Sequence, residues 1–165
     1  MFELKPITMD AIPRALDKAE RYRLLNEPSD AESICLDILR IDPENQKALV
    51  VMLLAVTDQF DGFNADAGRA MAVLHRLHDE YQRAYYAGII NERRAKAHFK
   101  KGGPGSGYAA YDGFREAMSF YEKAQALRPA GNDDAILRWN ACARILLDHP
   151  SLRPAPEEKV EHPLE

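Results

Sequence analysis

The stretch AESICLDILRIDP, residues 31–43, places a small residue at Ala31, apolar residues at Cys35 and Ile38, and a proline at Pro43. The stretch AMSFYEKAQALRP, residues 117–129, repeats that spacing with Ala117, Tyr121, Ala124 and Pro129. A small residue, an apolar residue four on and another three on lie on one helical face. The small residue lets a preceding helix approach closely, and the proline marks where the helix has ended. Two such helices in a chain of 165 residues predict an all-α helical repeat.

On either side of these two stretches, apolar periodicity predicts helices, seven in all, and no strand. The first covers about Asp10 to Asn26, with Leu16, Ala19 and Tyr22 on one face and Pro13 tolerated near its start. The second covers about Ser29 to Ile41, with Ser29 or Asp30 as its cap and Glu32 completing a Ser-x-x-Glu box. The third, about Glu44 to Gln59, is apolar nearly all round from Ala48 to Val56, which predicts a central position covered on several sides. A turn over Phe60–Asn64 follows, then a fourth helix from about Ala65 to Tyr81 and a fifth from Gln82 to Lys101. Gly102–Gly107 reads as a flexible loop. The sixth helix runs from Tyr108 to Leu127 and the seventh from Asp133 to His149, with Ile136, Trp139, Ala143 and Leu146 on its stripe.

Composition sets the outer bounds. With 46% apolar and 29% charged residues the chain reads as one globular domain over residues 10–149, after a lead-in over 1–9. Residues 150–165, with four prolines among charges, read as an extended or disordered tail. The net charge of −4 argues against a general nucleic-acid binder. The N-terminus lacks the pattern of a signal peptide, and the longest apolar stretch is far below membrane-spanning length. Two cysteines, Cys35 and Cys142, each lie on an apolar helical face, which fits reduced buried thiols in a cytoplasm rather than a disulfide framework.

The residues that carry the repeat resemble the tetratricopeptide repeat (TPR) family. Counting back from Pro43 over a 34-residue unit, Ala19 falls on the family's first small position, Tyr22 on its aromatic and Ala31 on its second small position. Ala117, Tyr121, Ala124 and Pro129 match the second helix of another unit. The two matching alanines lie 86 residues apart, which is two periods with 18 to spare. The surplus is assigned to the Phe60–Asn64 turn, the Gly-rich loop and the helices beside them. The middle unit departs from the pattern at Leu53, and Gly88 and Ile89 compete for the small position of the third. The resemblance implies a right-handed α-solenoid of about three antiparallel pairs with the seventh helix as cap. It also implies a non-catalytic scaffold that receives a peptide or protein segment in a concave groove lined by the first helix of each pair.

That geometry would make Tyr85, Tyr86, Asn91 and Arg94 groove residues, with Arg138, Asn140 and Arg144 near one end. Asn140 and Arg144, four apart, share a helical face. Residues 61–101 hold eight Lys or Arg against five Asp or Glu, and the run Glu92 to Lys101 is the most basic part. It reads either as a steering surface for an acidic partner or as a solvated helix end whose cations complement the dipole. The alternative ligand is a nucleic acid or small anion held by Arg93, Arg94, Lys96, Lys100 and Lys101. Self-association through an open end of the array is a further option. No cofactor or metal is expected: His75 and His78 form a surface pair without further ligands, and the Gly-rich loop lacks the phosphate-cradling pattern. No serine or cysteine sits in a recognisable nucleophile motif, so an enzyme is not expected.

Overall fold

A computed structural model describes residues 1–61 and 66–157. Among them are seven α-helices and no strand. A 3-10 turn, Met9–Ala11, leads into α1 (Ile12–Leu24), which is followed by α2 (Pro28–Ile41) and α3 (Gln46–Asp58). Then come α4 (Ala67–Leu74), α5 (Glu80–Lys101), α6 (Ser106–Leu127) and α7 (Asp134–Asp148). Each helix packs on its neighbours in sequence, and α1 touches α3 as α3 touches α5. The result is an array of helix pairs, with the α5–α6 pair the most extensively joined.

The repeated spacing explains why. Ala31, Cys35, Ile38, Ala117, Tyr121 and Ala124 are all 0% exposed. Each complete burial of a large apolar side chain contributes about 1.5–3 kcal/mol against the exposed state. α3 is the central helix, packed against α1, α2, α4 and α5, as its lack of a polar face requires. Its N-cap, Asn45, accepts from the Ala48 amide at 2.9 Å. In α5–α6 the approach is closest at two glycines. A Cβ at Gly88 would stand 2.4 Å from the Tyr121 ring, and one at Gly113 would stand 2.9 Å from the Ala95 Cβ. Gly88 is therefore the small residue of the third pair.

Several boundaries differ from expectation. Pro28 occupies the first turn of α2, and Glu27 stands at its cap without a side-chain bond. Ser29 is thus inside the helix, and Glu32 bonds instead to Gln59 at 2.8 Å and to Arg69. The fourth helix stops at Leu74 because Asp79 caps a new one, accepting from the Gln82 amide at 2.9 Å, so Tyr81 belongs to α5. The Gly-rich loop is shorter than the sequence suggests, since Ser106 and Gly107 already open α6. Gly102, Gly103 and Gly105 take positive φ, which glycine alone adopts freely. The tail begins anchored: Leu152 is 5% exposed within the core around Phe114 and Tyr121. Gly62 to Asn64, the larger part of the expected turn, Ala65, the expected start of the fourth helix, and residues 158–165 lie outside the described residues. Among the described residues no helix is long and apolar enough to cross a membrane.

Candidate functional site

A cavity of about 670 Å³ opens where the C-terminal end of α3, the basic end of α5 and the start of α7 converge. Phe60 and Ala97 supply apolar wall, Thr57 and Asp58 come from α3, and Arg93, Lys96, Lys100 and Lys101 come from α5. Arg138 closes it from α7, and Asp61 stands at the α3–α4 connection. Five cations and two carboxylates therefore face one space. α3, α5 and α7 are alternate helices, each the first after a short connection in its pair or cap.

Two buried or half-buried networks fix the cations. Asp58 accepts from Arg23 of α1 at 2.7 Å and from Arg93 of α5 at 2.6 Å. Arg93 also donates to the Leu54 carbonyl at 3.0 Å and to the Thr57 hydroxyl at 2.6 Å. Burial pulls its guanidinium below the ordinary value, and Asp58 opposes that pull. Arg93 turns its Nη1 to all three of these acceptors and serves as a strut that, through Asp58, links α1, α3 and α5.

The second network centres on Glu92, which is 0% exposed. It accepts from the Tyr121 hydroxyl at 2.6 Å, from Lys96 one turn on, and from Arg138 at 3.3 Å. Burial alone would raise its carboxyl, but the Lys96 and Tyr121 bonds and the Lys96 and Arg138 charges hold it below the ordinary range. For Arg138 burial acts downward, and the facing Glu92 carboxylate together with the hydroxyls of Tyr85 and Tyr121 outweighs it and raises the guanidinium. Burial and the same carboxylate push the Tyr121 hydroxyl far up, so it remains a donor. Lys96 and Arg138 are thereby aimed from a common anchor while keeping hydrogens free for a ligand. Lys100, exposed, is engaged by no other described side chain.

The expected groove residues separate into groups. Arg138 faces the cavity. Tyr85 and Tyr86 do not line it and belong to an aromatic cluster, with Tyr85 stacked on Tyr81 at 5.8 Å, edge-on to Tyr86 at 5.1 Å and tilted against Tyr121 at 5.9 Å. Burial pushes the Tyr86 hydroxyl up to about 12. Asn91 and Arg94 do not reach the cavity. They line a depression of about 240 Å³ with His98 and the α6 residues Asp112 and Glu116. Asn140 borders a shallow depression beside Trp139 and Glu122, and Arg144 is exposed. Trp139 is half-buried against the core and donates its Nε1 hydrogen to Glu122 at 3.0 Å.

Sequence reasoning missed Glu92 and Asp58. Apart from Lys96, one turn from Glu92, their partners lie 29, 35 and 46 residues away, beyond any local pattern. The run of Arg93, Lys96 and Lys100 was the usable signal, because these three positions share one helical face while Arg94 turns off it.

The chain matches no family model, no curated protein and no solved structure among those compared.

Proposed function

We propose that this chain is a TPR-like binding module whose cavity between α3, α5 and α7 receives an acidic segment of a partner protein. The observation that carries this reading is the ring of five cations around about 670 Å³, two of them oriented by the buried Glu92. Phe60 and Ala97 in the same wall favour a segment that brings an apolar side chain together with its acids. Asp58 and Asp61 interrupt the positive field, which suits a peptide of spaced carboxylates better than a continuous polyanion. The net charge of −4 points the same way.

Binding rather than catalysis is part of the proposal. The Thr57 hydroxyl in the wall donates to the Leu54 carbonyl at 3.0 Å and accepts from Arg93, so it is committed on both sides. The thiols of Cys35 and Cys142 are buried and pushed up to about 12, mainly by that burial, unlike reactive thiolates. Free, buried thiols also suit a reducing compartment, and a cytoplasmic location belongs to the same reading.

Peptide display from a random library provides the test. Selection on the wild-type protein is expected to enrich segments with two or more Asp or Glu within about six residues of an aliphatic or aromatic residue. The full-length Lys96→Glu/Lys100→Glu protein should lose at least tenfold in affinity for them. Enrichment of neutral or basic peptides, or acidic peptides whose binding ignores the two reversals, overturns the assignment.

A further inference from the structure

The chain carries its own candidate for the cavity. After the last helix it reads Pro154-Ala155-Pro156-Glu157-Glu158-Lys159-Val160-Glu161-His162-Pro163. Three carboxylates surround one valine within five residues, against a single lysine. That chemistry complements the cavity: spaced acids for Lys96, Lys100 and Arg138, and an aliphatic side chain for Phe60 and Ala97.

Geometry allows the meeting. The His149 ring lies edge-on to Phe99 at 5.0 Å, and Leu152 is held in the core, so the tail leaves from beside the C-terminal end of α5. Phe99 immediately precedes Lys100 and Lys101 of the cavity wall. From Leu152 to Val160 an extended chain spans about 27 Å. The cations from Lys96 to Lys101 occupy only about 8 Å of helix axis. Reach is therefore ample. Pro154 and Pro156 favour an extended course over a helix and lower the entropy lost on docking.

We propose that the acidic segment Glu157 to Pro163 docks in cis in the basic cavity and competes there with partner segments. The inference rests on reading the cavity as a receptor for acidic segments. It adds that the free protein is partly self-occluded, so an incoming ligand must displace the tail. A tether of this length gives an effective concentration of order 1 mM. If the segment binds with an intrinsic Kd of about 0.1 mM, the cis contact weakens any competitor on the order of tenfold.

The test uses full-length protein and a fluorescein-labelled peptide of residues 154–163, followed by anisotropy at 0.15 M salt. Glu157→Gln/Glu158→Gln/Glu161→Gln is expected to bind the peptide on the order of tenfold more tightly than wild type. Adding Lys96→Glu/Lys100→Glu should remove that gain. A control, Glu3→Gln/Asp10→Asn/Glu20→Gln, removes three exposed acids elsewhere and should leave the affinity within twofold of wild type. Equal affinity of wild type and the tail variant overturns cis docking, as does an equal gain in the control. A gain that survives the lysine reversals places the tail on another surface and overturns it too. If the peptide binds no variant at all, the tail is not a ligand of the cavity. The cavity itself is judged separately by display selection, which does not involve the tail.

Discussion

At Gly88 the distance between α5 and α6 is set by a missing side chain. Tyr121 is fully buried, and its ring edge occupies the space that a Cβ at 88 would need, 2.4 Å away at Cε1 and 2.6 Å at Cδ1. Gly88→Ala gains about 1 kcal/mol of helix propensity. It must also displace an aromatic ring that has no room to withdraw, an overpacking cost of about 1–3 kcal/mol. The clash wins, and the denaturant midpoint should fall with the m-value unchanged. A rise in the midpoint would show that the ring yields. Residue by residue, the sequence was legible where one type satisfies a local rule. Ala31, Cys35 and Ile38 are buried as their spacing demands, and so are Ala117, Tyr121 and Ala124. It was not legible where neighbours of one type differ only in direction. Arg93 and Arg94 are adjacent in sequence and separated by about 100° of helix rotation. Only the positions of Leu54, Thr57 and Asp58 decide that Arg93 is the strut.

Among the helices, α5 is the one on which the others register. Glu92 joins it to α6 through Tyr121 and to α7 through Arg138. A carboxylate whose folded pKa is depressed stabilises fully above its unfolded value, and that contribution is lost as pH falls through the folded value. Glu92 belongs to this class. Glu92→Gln keeps the shape and loses the charge-assisted bonds, so at pH 7 it should cost about 1–3 kcal/mol. The gap to wild type should narrow below about pH 4.3, the ordinary glutamate value, and close once the folded value is passed. Urea unfolding at pH 7 and pH 3 measures both ends, and a gap of constant size would remove the ionised Glu92 from the account. Helix existence was readable from apolar period throughout. The ends were less so, because capping choices compete locally. Pro28 pre-empts Ser29 as the start of α2, and Asp79 captures the Gln82 amide and shortens α4. The buried glutamate had no local signature, since its three partners come from one turn away and from two other helices.

At the scale of the array, one acid joins three of the stacked helices. Asp58 holds Arg23 on one side and Arg93 on the other, so the first pair is tied to the third through the end of α3. Asp58→Asn should weaken that tie by about 1–2 kcal/mol, given side chains that are only about one-fifth exposed. Native-state hydrogen exchange should report the loss unevenly. Amides of α1 and α2 are expected to exchange about tenfold faster, while those of α6 keep their protection. Equal acceleration in α6 would mean that the acid supports global stability and couples nothing in particular. The stacking of pairs was legible from the spacing around Ala31 and Ala117. The convergence of α3, α5 and α7 on one cavity was not, since it depends on how far each pair rotates over the last. The contact between Gly88 and Tyr121 also bears on how such a chain can change over generations. Enlarging residue 88 is penalised while the ring stands at 121, and becomes affordable only after that ring has shrunk. Descendants of this sequence are therefore expected to shrink residue 121 before they enlarge residue 88.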